Sequence, residues 1–386
     1  MNRSYDVIIV GGGPAGSTAG YLLSRSGFKV LLIDKGTFPR HKLCGGCITD
    51  KTVKLLERVF GETAGDLKKN GVINFESSRY EIFRKNKLMT KRASPAPFYF
   101  VERYIYDNFF LRKAQQAGTE VIEGERCTSF DISGSKVTTS TGHIFEAKVI
   151  IGADGFNSIV RQSFTGFDQR KWNENLAVAL EIFINRCDVT RQIDCPTLFF
   201  DFIEFGYAWI FPNKDRLTIG MCGLNKINRK TIFQSFNNFL SAVGFRDLEY
   251  LKSYGYYVPY GNYLLKPVYK NALLLGDAAG FADPLLGEGI FFSQRSAELA
   301  SQVIKGAFKN YKNTEGFHTY IETQYVDALQ KNIYEEFAYA NKIRNVIFLY
   351  LSKFRYYPLK ITMDMFGDKA IEAIHGIRSY RWFRKL

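Results

Sequence analysis

The start of the sequence combines two apolar runs with a helical pattern between them. Residues 5–10 (YDVIIV) and 29–34 (KVLLID) are short runs rich in branched apolar residues and lack the polar alternation of a half-exposed strand. Such runs are typical of strands that are buried on both faces of a parallel sheet. Apolar residues at helical spacing include Leu22 and Leu23, and Gly27 is a candidate helix C-cap. The pattern predicts a β-α-β unit.

Later segments repeat the buried-strand pattern and then change character. Residues 147–155 (AKVIIGADG) and 271–280 (NALLLGDAAG) predict strands that end in an aspartate, and Arg103 opens a helical pattern that runs to about residue 117. Turn residues separate four further runs, which predict an antiparallel sheet. These runs are Leu176–Ile184, Thr197–Phe202, Tyr207–Phe211 and Arg216–Cys222. Beyond residue 288 the pattern is mostly helical.

A glycine-rich turn joins the first strand to the first helix. Gly11 suits a tight turn, Gly13 allows the backbone to approach a diphosphate, and Gly16 allows the helix to pack closely on the sheet. A diphosphate would lie at the helix N-terminus, where the helix dipole favours negative charge. Asp34 follows 18 residues after Gly16, where a carboxylate accepts hydrogen bonds from a ribose diol. The order of elements predicts a Rossmann-type dinucleotide-binding unit, which by itself does not distinguish FAD from NAD.

Composition and charge narrow the partners. The chain of 386 residues is 46% hydrophobic and 16% aromatic, which suits a globular protein of two domains. A net charge of +14 favours anionic lipid headgroups, a phosphorylated substrate or an acidic redox protein. No nucleic-acid motif occurs, so we expect no nucleic-acid partner. The six cysteines have no disulfide-framework spacing and the sequence starts without a signal-peptide pattern, which predicts a cytoplasmic protein.

The motifs occur in the order of a known flavoprotein family. The glycine turn, Arg103, residues 152–161 (GADGFNSIVR) and residues 276–284 (GDAAGFADP) resemble the FAD-dependent oxidoreductases of the para-hydroxybenzoate hydroxylase superfamily over about residues 1–300. Two further motifs are similar to those of one family within it. Residues 39–46 (PRHKLCGG) look like the PxxKxCGG signature of geranylgeranyl reductases, and residues 207–212 (YAWIFP) match their YxWxFP motif.

The resemblance implies an α/β fold with a Rossmann-type FAD-binding domain (GR2/PHBH-like), an inserted antiparallel-sheet substrate domain and a helical C-terminal region. We expect the FAD-binding domain to comprise residues 1–75, 98–170 and 265–305. The substrate domain would comprise residues 76–97 and 171–264, and the C-terminal helical region residues 306–386. One face of the inserted sheet would cover the isoalloxazine ring of the flavin.

The resemblance also implies site residues. Asp277 would accept a ribityl hydroxyl, and the amides of Gly289 and Ile290, at a helix start, would face the isoalloxazine. The full set of expected FAD contacts is Gly11, Gly13, Ala15, Gly16, Asp34, Lys35, Cys44, Gly45, Cys47, Arg103, Cys127, Asp154, Asp277, Gly287, Gly289 and Ile290. The isoprenoid would be bound by Tyr207, Trp209, Phe211 and Pro212. Cys44 is the candidate catalytic residue, as a proton donor or as a positioning group beside the flavin.

Cys47 departs from the family pattern, which usually has glycine or alanine after CGG. The resulting Cys44-x-x-Cys47 pair has three interpretations: a flavin-coupled redox dithiol, half of a zinc site, or a small packing residue beside the flavin. Zinc needs further ligands, and neither a second CxxC nor a nearby histidine pair occurs. We therefore predict no metal, and we favour the packing interpretation.

The resemblance implies reduction of carbon–carbon double bonds in a geranylgeranyl or other polyprenyl chain. Neither a second GxGxxG nor a separate nicotinamide domain is visible, so the electron donor is either NAD(P)H or reduced ferredoxin. The alternatives are a flavin monooxygenase or halogenase that acts on an aromatic compound, and a flavin-bearing lipid carrier without turnover.

The C-terminal segment has two interpretations. Val346–Leu351 is an apolar run with basic neighbours at Lys342, Arg344, Lys353 and Arg355. It is too short to span a bilayer, which needs about 20 residues. It suits either a peripheral position on the inner face of the membrane or a helix packed on the FAD-binding domain with a solvated basic face.

Overall fold

The computed structural model describes residues 3–132, 134–174, 176–189, 192–245, 253–353 and 367–385. The strands are β1 (Arg3–Val10), β2 (Val30–Asp34), β3 (Cys47–Ile48), β4 (Ile73–Arg84), β5 (Lys87–Val101), β6 (Glu120–Glu123), β7 (Cys127–Asp131), β8 (Lys136–Thr139), β9 (Ile144–Gly152), β10 (Ala177–Asn185), β11 (Thr197–Phe200), β12 (Gly206–Pro212), β13 (Arg216–Leu224), β14 (Tyr254–Val258), β15 (Val268–Tyr269) and β16 (Ala272–Leu274). The α-helices are α1 (Pro14–Ser24), α2 (Asp50–Phe60), α3 (Ala64–Lys69), α4 (Arg103–Gln116), α5 (Ile159–Gln162), α6 (Gln169–Glu174), α7 (Asn225–Asn228), α8 (Ile232–Ala242), α9 (Ile290–Asn310), α10 (Thr314–Leu329) and α11 (Glu335–Lys353). Short 3-10 turns cover Arg186–Asp188, Gly276–Ala278 and Tyr380–Lys385, and Gln330–Tyr334 is π-helical.

The chain divides into two compact units. The first comprises Met1–His41, Tyr104–Trp172 and Gly261–Phe337, and the second comprises Lys42–Arg103, Asn173–Tyr260 and Ala338–Leu386. This division differs from the predicted domains, which placed all of residues 1–75 with the FAD-binding segments. Residues 42–75 join the second unit because β3 pairs with β5, at Cys47 opposite Phe100, and β4 pairs with β5 along its length. An apolar pattern shows that a segment is buried but does not show against which sheet.

The sheet of the first unit has the strand order β15-β16-β9-β1-β2-β6, and β7 and β8 extend from β9. Strand β1 is parallel to both neighbours, so that Ile8 lies opposite Leu31 and Ile150. These three side chains are fully buried. The predicted β-α-β unit and its buried parallel strands are therefore present. Helix α1 ends at Ser24 with Arg25 as its C-cap, and Gly27 lies beyond the cap, with a φ of +84°.

Helices of the first unit are tied together by buried polar contacts. The hydroxyl of Tyr106 on α4 donates to Oε1 of Gln294 on α9 at 2.9 Å, and Nε2 of Gln294 donates to Thr18 on α1 at 3.4 Å. The hydroxyl of Tyr325 on α10 donates to the carbonyl of Leu274 at 2.9 Å. Because α10 is fixed to the sheet and packs on α9, residues 306–337 belong to the first unit rather than to a separate C-terminal region.

The sheet of the second unit has the order β14-β10-β13-β12-β11-β4-β5-β3. Its pairs are antiparallel, with the exception of the parallel pair β11–β4. Helix α8 covers one face, where Ile210 and Ile219 share a buried core with Phe236 and Phe239. Alternation along β12 places Tyr207, Trp209 and Phe211 on the opposite face. The strands predicted between residues 176 and 222 are present as β10 to β13.

Candidate functional site

The glycine turn of the first unit has the close approaches that a dinucleotide requires. Gly11 has a φ of +103°, and a side chain on Gly16 would overlap the carbonyl oxygen of Gly11. Helix α1 begins at Pro14 with Gly13 as its N-cap, and no side chain caps it. The atom nearest to a Cβ built on Gly13 is Nη2 of Arg40, at 3.8 Å. The turn therefore leaves a helix N-terminus and open space beside Gly13 for a diphosphate.

Asp34 is bound into this turn. Its Oδ2 accepts the amide of Gly12 at 2.7 Å, and its Oδ1 accepts the amide of Gly36 at 2.7 Å. The residue is 6% exposed. A carboxylate has about four acceptor positions, so two amide donors leave acceptor capacity on each oxygen for a ribose diol. Asp34 thus holds the turn and retains the capacity expected of the ribose-binding acid.

Arg40 adds a positive charge that the motifs did not assign. Its guanidinium lies 3.4 Å from Oδ2 of Asp34 and 3.5 Å from Oδ2 of the fully buried Asp107. It also stacks on the ring of Phe38, with its Cζ 4.5 Å from the ring centroid. Within the described chain, its buried Nε has no hydrogen-bond partner. A guanidinium fixed beside Gly13 with a spare donor suits a phosphate or ribose oxygen.

Asp154 and Cys127 lie near the same turn. Oδ2 of Asp154 accepts the amide of Ile159 at 2.8 Å, whereas its buried Oδ1 has no partner among the described residues. Burial raises the pKa of the Asp154 carboxyl. Burial, and then the neighbouring carboxylates of Asp154, Glu125 and Asp34, raise the pKa of Cys127 to about 12. Cys127 is therefore a neutral thiol that packs beside the acids of the turn.

The turn that carries Asp277 is held by a buried arginine. Arg161 donates to the carbonyl of Ala278 at 2.8 Å and to the carbonyl of Phe156 at 2.5 Å. Its guanidinium stacks on Trp172 at 3.8 Å. Burial lowers the pKa of Arg161 to about 10, so it remains charged near neutral pH. Arg161 thereby joins the GADG turn to the Asp277 turn. The Asp277 carboxylate lies close to the start of α9, since a Cβ on Gly289 would be 3.3 Å from its Oδ1.

The second unit contains a continuous row of aromatic rings, which we call the aromatic wall. Along β12, the Tyr207 and Trp209 rings are 5.7 Å apart and the Trp209 and Phe211 rings are 6.0 Å apart. Further ring contacts of 5.5 to 6.5 Å extend the row on both sides. In order, the wall is Phe75, Phe100, Phe211, Trp209, Tyr207, Phe200, Phe348 and Phe205. A long apolar molecule is the ligand that such a surface suits.

One acidic residue lies on the same face of the sheet. Glu181 on β10 pairs with Gly220 on β13, which in turn pairs with Trp209 on β12. The glutamate is 3% exposed. Burial raises the pKa of its carboxyl to about 7, against the opposing effects of a hydrogen bond from the Cys44 backbone and of the charges of Arg216 and Arg103.

The Cys44 turn lies against the aromatic wall. A Cβ on Gly45 would come within 2.9 Å of the Phe211 ring and 3.3 Å of Nε1 of Trp209. The thiol of Cys44 accepts the amide of Gly46 at 3.5 Å. Cys47 of β3 pairs with Phe100 of β5. The described chain contains no disulfide between Cys44 and Cys47. The turn thus brings Cys44 and Gly45 to the same face as Glu181.

Comparison with known proteins agrees with the first-unit geometry. The model of a family described as FAD binding domain matches residues 4–204. The chain belongs to the FAD-binding-domain family. Its cofactor is FAD, and it is an FAD-dependent oxidoreductase. An uncharacterized protein of Methanosarcina barkeri is 30% identical over 80% of this chain and 76% of its own length.

Two further relatives carry informative names. A digeranylgeranylglycerophospholipid reductase of Methanococcus aeolicus is 28% identical over 88% of this chain and 86% of its own length. The structure of a geranylgeranyl bacteriochlorophyll reductase-like protein of Thermoplasma acidophilum has a TM-score of 0.76 at 20% identity, over 97% of this chain and 92% of that one. The resemblance to geranylgeranyl reductases and the predicted fold class are both confirmed.

In this family member the predicted site residues fall into two groups. The first unit contains Gly11, Gly13, Ala15, Gly16, Asp34, Lys35, Cys127, Asp154, Asp277, Gly287, Gly289 and Ile290, and the second contains Cys44, Gly45, Cys47, Arg103, Tyr207, Trp209, Phe211 and Pro212. Lys35 is exposed, and Arg103 is buried. Pro212 pairs with Leu217 and lies by alternation on the face that α8 covers, so the structure does not group it with the other three. The contacts of these residues with FAD and substrate stay predictions.

Two residues with a place in these sites were not assigned from the motifs. Arg40 lies in the loop before Cys44, where a basic residue next to proline carries no distinctive signal. Glu181 has a signal, since it is the one acidic residue in the otherwise apolar strand AVALEIFIN. Arg161 was part of a recognised motif, but its role as a bridge depends on contacts that are remote in sequence.

The C-terminal run lies in α11. Phe348 is buried against Phe200 and Phe205 within the second unit. The two interpretations of this segment stay predictions. Arg344 donates to the carbonyl of Tyr260 at 2.9 Å. Arg355 lies outside the described residues. Among the helices that are described, none has the length and apolar character needed to cross a bilayer.

Proposed function

We propose that the protein is a reductase that saturates carbon–carbon double bonds of a geranylgeranyl or other polyprenyl chain carried by a lipid, a diphosphate or a prenylquinone. The observation that carries this proposal is the aromatic wall, in which ring-to-ring contacts continue through eight side chains of the second unit. A polyprenyl chain is long, apolar and repetitive, and a row of rings offers it equivalent contacts along its length. The names of the curated relatives support the same substrate class.

When bound, FAD in its reduced form would supply hydride from N5 to one alkene carbon. The residues of the first unit bind and orient it: the turn at Gly11–Gly16 takes the diphosphate, Asp34 the ribose, and Asp277 a ribityl hydroxyl. Arg40 adds a fixed positive charge beside the diphosphate position. Positioning contributes to the rate because a bound alkene reacts as if its effective concentration were very high.

The second unit would hold the polyprenyl chain and exclude water. Tyr207, Trp209 and Phe211 form the central part of the wall, and the Cys44 turn lies against Trp209 and Phe211. An isolated trisubstituted alkene accepts hydride poorly, so a proton must reach its other carbon. Cys44 belongs to this proposal as a group that touches the reacting part of the chain and positions it.

The net charge of the chain supports proposals for the electron donor and for the location of the protein in the cell. A net charge of +14 supports reduction by an acidic ferredoxin, with NAD(P)H as the other donor. The same charge supports a cytoplasmic protein that contacts the anionic inner face of a membrane, where a lipid-borne substrate resides. Sedimentation with anionic vesicles, and its loss at high salt, would test the second point.

The test of the activity is anaerobic. The purified protein, reduced chemically, is incubated with geranylgeranyl lipids, geranylgeranyl diphosphate and prenylquinones, and the products are analysed by mass spectrometry. The proposal expects a gain of two hydrogen atoms for each bond reduced, together with reoxidation of the flavin. Unchanged masses across the panel would contradict it, and products that gain an oxygen or halogen atom only in the presence of oxygen would identify the monooxygenase or halogenase alternative.

A further inference from the structure

Glu181 is an acidic residue in a strand where the pattern requires none. It lies in the middle of β10, between Leu180 and Ile182, which face the core under α8. Glu181 itself points to the opposite face and is 3% exposed. A carboxyl buried in such a strand lowers stability unless it is paired or neutral, so its presence calls for a functional reason.

Gly220 determines what lies beside Glu181. The row across the sheet runs from Tyr254 through Glu181 and Gly220 to Trp209. A Cβ on Gly220 would overlap the six-membered ring of Trp209 and would lie 2.9 Å from its Nε1. The part of the indole that contains Nε1, Cε2 and Cζ2 therefore occupies the space beside Gly220, the residue that pairs with Glu181.

Two buried polar atoms in this row have no hydrogen-bond partner among the described residues. Within the described residues, Oε2 of Glu181 and Nε1 of Trp209 are both buried and make no hydrogen bond. The Cys44 backbone donates to the Glu181 carboxyl. A buried polar group that makes no hydrogen bond destabilises the folded state. Unsatisfied buried polar atoms on one face of a sheet are the arrangement expected where a ligand completes the site.

The surroundings of Glu181 shift its titration towards neutral pH. Burial, the largest effect, raises the pKa of the carboxyl to about 7. The positive charges of Arg216 on β13 and Arg103 at the start of α4 lower it. Among the described residues, Cys222 on β13 and Tyr254 on β14 lie on the same face as Glu181, and Glu102 pairs with Arg216 at 2.7 Å. Below pH 7 the carboxyl is therefore a neutral acid within an apolar surface.

We infer that Glu181 is the proton donor of the alkene reduction, an inference that rests on the proposed function. The O–H bond of the Glu181 carboxyl breaks, and the proton joins the less substituted alkene carbon through the π electron pair. The tertiary carbon, which gains cationic character, accepts hydride from reduced FAD. One double bond would gain two hydrogen atoms, the reduced flavin would give up two electrons and become oxidised FAD, and Glu181 would be left as a carboxylate that solvent protonates again.

The surroundings of Glu181 favour this exchange. The carboxylate that forms lies near Arg216 and Arg103 and keeps its hydrogen bond from the Cys44 backbone, so the ionised state is stabilised. Trp209 lies in the same row, and aromatic rings attract a positive charge such as the one that would develop on the alkene. The sulfur of Cys44 need not be the acid, since its turn contributes the backbone amide.

The experiment compares Glu181→Gln with Glu76→Gln in the full-length flavoprotein. The first substitution keeps the shape and removes the acidic proton, and the second changes an exposed glutamate of the same unit that pairs with Lys68. Anaerobic single-turnover reoxidation of the reduced flavin by the polyprenyl substrate is measured across pH, with flavin content and melting temperature recorded for each variant. We expect Glu181→Gln to lower the rate about 100-fold or more, with the substrate affinity and flavin content nearly unchanged.

The pH profile separates a donor from a structural residue. In the wild-type protein and in Glu76→Gln the rate should fall tenfold per pH unit above about pH 7, because the donor is then ionised. Glu181→Gln should lose this dependence, and Glu181→Asp should restore part of the rate together with it. If Glu181→Gln fails to take up flavin, the pH profile of Glu181→Asp tests the donor role instead. A different carboxyl at the donor position should move the pH at which the rate begins to fall.

The outcomes are distinguishable. A wild-type protein that reduces polyprenyl chains while Glu181→Gln keeps its rate and pH profile would overturn the role of Glu181 and leave the proposed function intact. A wild-type protein that reduces no polyprenyl substrate would overturn both. A lowered rate in Glu181→Asp with the same pH profile as the wild-type protein would also overturn the donor role, because it would indicate a packing defect.

Discussion

Glu181 and Trp209 lie on the same face of the second sheet, in one row, on the two strands that flank Gly220. Adjacent strands are about 4.8 Å apart, so the two side chains project from positions about 10 Å from each other. The indole covers the intervening strand because residue 220 lacks a side chain. The absence of a Cβ at residue 220 thereby lets the aromatic wall extend over the strand that pairs with the strand of Glu181.

Gly220→Ala should displace the Trp209 ring. The added methyl group would overlap the indole, and overpacking of this kind costs about 1–3 kcal/mol. We expect a raised KM for the polyprenyl substrate at unchanged flavin content, measured by steady-state kinetics and flavin absorbance. Gly255→Ala is the matched control, since a Cβ at that position on β14 has its nearest neighbour at 3.7 Å. Equal KM values in the two variants would contradict this arrangement.

Asp34→Asn should weaken FAD binding. The amide side chain keeps one oxygen acceptor, so either Gly12 or Gly36 loses its partner and the charge beside Arg40 is removed. Loss of one or two hydrogen bonds to a charged group predicts a Kd raised about 10- to 100-fold. Fluorescence titration of the flavin-free protein measures it. Asp327→Asn, on the exposed side of α10, should leave the Kd unchanged, and a Kd equal to wild type in Asp34→Asn would be inconsistent with the site.

Arg161→Met should destabilise the first unit. The substitution leaves the carbonyls of Ala278 and Phe156 without their donor and removes the stacking on Trp172. The expected cost is about 2–4 kcal/mol in the free energy of unfolding, measured by urea denaturation. Arg170→Met, at an exposed position, provides the comparison. A cost within about 0.5 kcal/mol, the usual range for surface substitutions, would show that the bridge contributes little.

His375 should make the second unit sensitive to acid. Its Nδ1 accepts the amide of Asp50 at 3.4 Å, its Nε2 lies 3.0 Å from Oγ of Ser94, and burial lowers its pKa to about 4. Since the folded pKa lies below the unfolded value of 6.5, the stability contribution is present above pH 6.5 and is lost as pH falls towards 4. The loss amounts to at most about 3 kcal/mol.

The measurement for this prediction is thermal unfolding between pH 7 and pH 4. Wild-type protein should lose more stability over this range than His375→Gln, whereas His143→Gln, which changes a mostly exposed histidine, should behave as wild type. Parallel curves for all three proteins would show that His375 does not titrate as its burial implies.

The sequence by itself determined the cofactor unit, because its evidence is local. The turn at Gly11–Gly16 must fit between a buried strand and a helix that are adjacent in the chain, and Asp34 ends the next strand. Tight turns, helix N-termini and uniformly apolar strands each leave a signature within about ten residues. The alternation that marks β10 to β13 is local for the same reason.

Only the tertiary structure decided which segments share a sheet and which side chains meet. The sequence pattern assigned residues 42–75 to the FAD-binding segments. In the structure these residues belong to the second unit, because β3 and β4 pair with β5. Glu181, Gly220 and Trp209 lie on three strands, and their row is set by the pairing register, which a shift of one residue would abolish. The pKa of Glu181 and the bridge made by Arg161 likewise arise from burial and from contacts between remote segments, and no stretch of sequence encodes these alone.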